Sequence, residues 1–156
     1  MIRFSIIPLL ILILSGLQNP TEEVDKFWAE VSRTVAEGDF ENYSNTYHPD
    51  AVLVNGISGT SYPISNALSG WKKGFDDTKA GKVKASVEFR FSKRLHSKTT
   101  AHDTGIFKYT SQTEDSKQNS SYIHFEGLMT KANGDWKMMM EYQVSVASEE
   151  EWNGLE

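Results

Sequence analysis

The chain has 156 residues, of which 38% are hydrophobic, 24% charged and 12% aromatic, the balance of a soluble globular domain rather than of a collagen, a disordered chain or a multi-span membrane protein. Its 21 acidic residues outnumber its 16 Lys and Arg, for a net charge of −5, which argues against nucleic acid as a partner because phosphate binding rests on Lys and Arg. Cysteine is absent, and with it go disulfides, thiolate metal sites and a cysteine nucleophile.

Residues Met1 to Gly16 carry one cation, Arg3, and an apolar run from Phe4 to Leu14 broken only by Ser5 and Pro8; Ser15 and Gly16 follow. That is the pattern of a secretory signal peptide, too short to span a bilayer comfortably and ending in the small residues that a signal peptidase cuts after. The expectation is a secreted or periplasmic protein of one domain, residues 17–148, with no membrane attachment once the leader is removed and an acidic tail at 149–156.

Asn19-Pro20-Thr21-Glu22 reads as a helix start, with Asn19 as cap and Pro20 at the first helical position. Val24, Phe27, Trp28, Val31 and Val35 then recur at helical spacing, and Gly38 marks the stop. Asp39 caps a second, shorter helix that places Phe40, Tyr43 and Tyr47 on one side and ends at Pro49. Ala51 to Asn55 is a short strand stopped by Gly56 and Gly59. A third helix runs from about Pro63 to Gly81, with Ile64, Leu68, Trp71 and Phe75 on one stripe, weakened by Gly70 and Gly74.

Beyond Gly81 the period is two. Val83, Ala85, Val87, Phe89 and Phe91 alternate with polar residues, so this strand has one face on a core and one in water. Further strands are expected over about 99–111, 120–131 and 135–148. Asn133-Gly134 signals a two-residue hairpin between the last two. Pairing Ala132 with Asp135 and alternating strictly from there puts Phe125, Gly127, Met129, Met138, Met140 and Tyr142 on the inner face. Leu128, Glu126, His124, Met139, Glu141 and Gln143 then lie on the outer one.

Glu37-Gly38-Asp39-Phe40-Glu41-Asn42-Tyr43, followed by Tyr47-His48-Pro49-Asp50-Ala51-Val52-Leu53, resembles a signature of the nuclear transport factor 2-like superfamily. Gly134-Asp135-Trp136-Lys137-Met138 resembles its closing strand. Within the superfamily the chain is most similar to SnoaL-like and secreted members, over residues 20 to 148. The resemblance implies a cone-shaped, cystatin-like α+β fold: three N-terminal helices packed on a strongly curved antiparallel sheet, with a pocket inside. It also implies a homodimer built on the sheet's outer face. In ketosteroid isomerases of the superfamily the general base falls at the position of Asn55 here, and an oxyanion-binding acid falls near Gly127. Neither residue transfers a proton, so the resemblance brings no isomerase apparatus with it.

The residue expected to carry any catalysis is Asp103, which shares a face with Ala101, Gly105, Phe107 and Tyr109; a carboxylate buried there could act as a base. The expected pocket comprises Tyr47, Asn55, Tyr62, Trp71, Asp103, Phe107, Met140 and Tyr142. His48, His96, His102 and His124 show no metal-ligand spacing, so neither metal nor other cofactor is called for. The leading expectation is a domain that binds a small, largely apolar molecule in its cone. The alternatives are an isomerase, hydratase or cyclase acting on an enolisable carbonyl compound, with Asp103 as base and Asn55 and Tyr142 as oxyanion donors, or an interaction module using His124, Glu126, Met139 and Glu141.

Overall fold

The computed structural model describes residues 19–155; the leader read at Met1 to Gly16 lies outside them. The first helix, α1 (Pro20–Glu37), begins as the sequence dictates. The Asn19 side chain accepts from the Thr21 N–H at 3.1 Å, and Gly38 closes the helix in the left-handed region at φ 66°. A side chain at Gly38 would also strike the backbone at Lys79, whose nitrogen would lie 2.4 Å from its Cβ. The apolar stripe Val24, Phe27, Trp28, Val31 and Val35 is buried. Each such side chain contributes roughly 1.5–3 kcal/mol by leaving water.

Asp39 caps α2 (Phe40–Asn45) as expected, but the helix stops before Tyr47. Tyr47 instead opens β1 (Tyr47–Asn55), which pairs with a short strand that sequence periodicity did not reveal, β2 (Thr60–Pro63). Four residues with one apolar position carry too little alternation to announce themselves. α3 (Ile64–Lys79) follows, then four long strands: β3 (Val83–His96), β4 (Thr100–Thr113), β5 (Asn119–Ala132) and β6 (Asp135–Val146).

The six strands form one sheet in the order β2-β1-β6-β5-β4-β3. All neighbours are antiparallel except β1 and β6, so the sheet is mixed where full antiparallel pairing was expected. The β5–β6 hairpin turns at Asn133 (φ 53°) and Gly134 (φ 94°), the two positive-φ positions such a turn requires. α1 lies across the concave face and is tied to this hairpin through Glu23, which accepts from Lys131 Nζ at 2.6 Å and Trp136 Nε1 at 2.8 Å.

Of the register shifts in the sheet, two decide which side chains reach its inner face. On β3, Phe91 pairs with Gly105 and Lys93 with Thr104, so Ser92 is extra; beyond it, Arg94 and His96 turn onto the inner face. On β6, Met138 pairs with Met129 and Met140 with Leu128, so Met139 is extra. From there the strict alternation read from the sequence is inverted: Glu141 and Gln143 point inward, while Met140 and Tyr142 point outward.

The acidic tail is a folded element. Residues Glu149–Asn153 form α4, started by a capping box in which Ser148 and Glu151 satisfy each other's backbone N–H groups. Trp152 is buried with Ile106 and Ala147 on the outer face of the sheet, against Tyr122 and Leu155. Arg90 donates to the carbonyls of Trp152 and Leu155 at 2.9 Å each, and its guanidinium lies 4.5 Å from the Trp152 ring centroid.

Candidate functional site

Between α1, α2, α3 and the concave face lies a cavity of about 460 Å³, a volume suited to a small organic molecule. α1 contributes Trp28, Val31 and Val35, and α3 contributes Trp71, Phe75 and Thr78. The sheet adds Val87, Phe89, Phe107, Phe125 and Met138. Its rim is formed by the exposed residues Gly70, Gly74, Tyr109 and Ser121, where the cone opens between α3 and the ends of the strands.

The walls are aromatic because the period-two pattern of β3 and β4 and the stripe of α1 all deliver rings to one side. The Trp28 and Phe89 centroids are 4.5 Å apart, and Phe125 sits edge-on to Trp28 at 5.5 Å. A second cluster lies towards α2 and α3, with Tyr43 4.6 Å from Phe75, 5.6 Å from Tyr47 and 6.1 Å from Trp71. Such pairs add about 0.5–1.5 kcal/mol each beyond the area they bury.

Into this apolar wall the β6 bulge delivers one carboxyl group. Glu141 Oε2 accepts from the Tyr47 hydroxyl at 2.5 Å, and Oε1 accepts from the Gln143 amide at 2.8 Å. The Tyr47 and Tyr43 hydroxyls lie 3.2 Å apart and continue the chain. Burial raises Glu141 above the ordinary carboxylate range, outweighing the two hydrogen bonds, which pull the other way. The area that Glu141 leaves accessible faces the cavity, so protein still surrounds the carboxyl and desolvates it. Burial first, and the Glu141 charge second, push the Tyr43 and Tyr47 phenols up, so both remain donors at neutral pH.

Of the residues expected to form the pocket, Tyr47, Trp71 and Phe107 line the cavity together. Asn55 ends β1 and uses its side-chain oxygen to hold the following turn, accepting from the Ser58 N–H at 2.9 Å. Tyr62 pairs with Leu53 at the sheet edge and packs against the core away from the cavity. Met140 and Tyr142 lie on the outer face, displaced by the Met139 bulge. Gly127 does occupy the inner face, and its lack of a side chain admits Trp28, whose ring would meet a Cβ there at 3.1 Å.

Asp103 points inward as the alternation of β4 required and is fully buried, but every direction around it is taken. Oδ2 accepts from Trp28 Nε1 at 2.8 Å and Arg94 at 3.1 Å, and Oδ1 accepts from Arg94 at 3.2 Å and faces His96 Nε2 at 2.7 Å. Arg94 continues to Asp25 at 2.5 Å and His96 to Thr21 at 3.1 Å. This carboxylate fastens α1 to the β3–β4 pair and is not part of the cavity wall.

Strict alternation from the Ala132–Asp135 pair would set Glu126 opposite Glu141, but the bulge makes it oppose Tyr142, and it pairs with His102 at 3.1 Å. The other histidines are similarly occupied, His124 by Glu151 at 3.1 Å and His48 by the Asp50 N–H at 3.1 Å. Among the described residues no group of three or more His, Asp and Glu is placed to hold a metal ion.

Known structures share this architecture. A protein of unknown function from Shewanella oneidensis, described as NTF-2 like, superposes with a TM-score of 0.61 at 16% identity, over 80% of this chain and 98% of that one. A conserved protein from Planctomyces limnophilus gives 0.66 at 9% identity, over 78% and 92%. A domain of unknown function with a cystatin-like fold from Nostoc punctiforme gives 0.57 at 11% identity, over 86% and 82%. At these identities the likeness establishes the fold and nothing about activity. No curated protein matches the sequence. The SnoaL-like domain family matches residues 24–149, so the chain belongs to that family, with the NTF2-like fold of these structures.

Proposed function

We propose that this SnoaL-like domain binds one small, largely apolar molecule in its cone, which meets a single polar anchor at Glu141 and Gln143. The observation that carries the reading is the cavity itself: about 460 Å³, open at one rim and walled by aromatic side chains. An apolar hollow of that size left open to water forfeits contacts that a ligand would restore. The signal-peptide pattern of the first sixteen residues supports binding outside the cytoplasm. The outer-face patch that α4 leaves uncovered, where Val52 and Leu128 are exposed beside Met140, offers the surface for a homodimer.

Native mass spectrometry of the protein purified from its own host tests both parts. The expected species is a dimer carrying one small molecule per chain, released on denaturation. A species with an empty cone would overturn dedicated carriage, and a monomer would remove the dimer. A second reading rests on the Glu141 carboxyl that the cavity holds beside the Tyr47 hydroxyl, where burial shifts it in the direction that general acid–base work uses. Consumption of the released molecule by the wild-type chain but not by Glu141→Gln would replace carriage by catalysis.

A further inference from the structure

We infer that the molecule held in the cone is an organic amine, bound as its cation with the ammonium group against the Glu141 carboxylate. The inference rests on the binding reading above and names the chemical class of its ligand.

It follows from which charges the cavity holds and which it lacks. Glu141 is the one carboxyl group of the lining, and the lining contains no Lys, Arg or His. The other titratable groups facing it are the phenols Tyr43 of α2, Tyr47 of β1 and Tyr109 of β4; α1, α3, β3 and β5 contribute none. Elsewhere in this fold a buried carboxylate is matched by its own cation, as Asp103 is by Arg94. Glu141 has only neutral donors, the Tyr47 hydroxyl and the Gln143 amide, one on each oxygen. Two donors aimed at two oxygens suit the ionised carboxylate, yet among the described residues no cation reaches it, and a buried charge without a counter-charge is costly. A ligand ammonium supplies that counter-charge.

The walls favour the same ligand. Tyr47 belongs at once to the Glu141 hydrogen-bond chain and to the ring cluster of Tyr43, Trp71 and Phe75, so a cation drawn to the carboxylate arrives beside aromatic rings. Cation–aromatic contacts strengthen when they are desolvated. The net charge of −5 attracts a cation and repels an anion before either reaches the mouth. The protons balance simply: a protonated amine enters and pairs with the Glu141 carboxylate, and any proton that Glu141 carries beforehand goes to solvent.

Three probes on one skeleton separate the possibilities: phenylbutylamine, phenylbutanol and phenylbutyrate, titrated by calorimetry into the full purified protein. The amine is expected to bind at least about tenfold more tightly than the alcohol, a margin that ion pairing and cation–aromatic contact supply together. The butyrate is expected not to bind. Glu141→Gln, which keeps the shape and one of the two acceptors but removes the charge, should bring the amine down to the alcohol. Equal binding of amine and alcohol by the wild type, or preference for the butyrate, would overturn the amine assignment while leaving the apolar cone a binding site. Failure of all three would overturn the amine and the binding reading together.

Discussion

Asp103→Ala is expected to lower the stability of the protein by about 3–5 kcal/mol, the usual cost of removing one partner from a buried charge pair. The side chain is fully buried, and its two oxygens serve Trp28 on α1 and Arg94 and His96 on β3. Removing it strands the buried indole N–H and takes a carboxylate from the partly exposed guanidinium. Arg94 keeps Asp25, which limits the loss on that side. Asp103→Asn retains an acceptor for one donor and turns an amide towards the others, so it should fall between the wild type and Asp103→Ala. Urea denaturation with folding followed by far-ultraviolet circular dichroism measures both. Midpoints unchanged from wild type would show that the network does not hold α1 to the sheet, and would return Asp103 to candidacy for chemistry.

Trp152→Ala is expected to cost about 3 kcal/mol, at the lower end for truncation of a buried indole, because α4 can detach locally and spare the rest of the fold. Trp152 is 4% exposed and forms the outer cluster with Ile106, Ala147, Tyr122 and Leu155. Losing it also removes the ring beneath the Arg90 guanidinium. Two readouts separate local from global loss: a reduced thermal midpoint, and rapid proteolytic removal of the residues after Ala147. A variant that melts like wild type and resists protease would mean that α4 contributes nothing to the sheet it covers.

The parts of this fold that were legible in the sequence are those where a local rule and the global arrangement agree. α1 carried its cap, its proline and its apolar stripe in register, and the β5–β6 hairpin carried Asn133-Gly134, so both were readable to within a residue. α4 was also readable in principle: Ser148 with Glu151 three residues on is a capping-box pattern, and Trp152 is the apolar anchor after it. The run of glutamates drew attention to solvent, although acidic residues at a helix start are stabilised by its dipole.

The site was harder to read because it is built by exceptions to alternation. Met138, Met139 and Met140 are apolar at three successive positions, so the pattern fits either phase and gives no sign of which methionine is extra. A slip of one residue there exchanges Met140 and Tyr142 for Glu141 and Gln143 on the inner face. The bulge at Ser92 is the counterpart on β3: strict alternation would send Arg94 and His96 to solvent, whereas the bulge brings them to Asp103. Gly105 opposite is the one local hint, since a Cβ there would lie 2.0 Å from the Arg90 carbonyl oxygen, a close approach that only glycine permits. Both polar clusters of the concave face therefore depend on inserted residues whose effect appears only when the strands are paired.

The measurement that tests the inward Glu141 carboxyl most directly is a pH titration of its side-chain carbon-13 resonance, assigned by its loss in Glu141→Gln. Burial favours the protonated form, so the midpoint should lie above the ordinary glutamate value of 4.5, and it should move downward when phenylbutylamine fills the cone. A midpoint at the ordinary value, insensitive to the amine, would place the carboxyl in solvent on the outer face and contradict the site described for the cone.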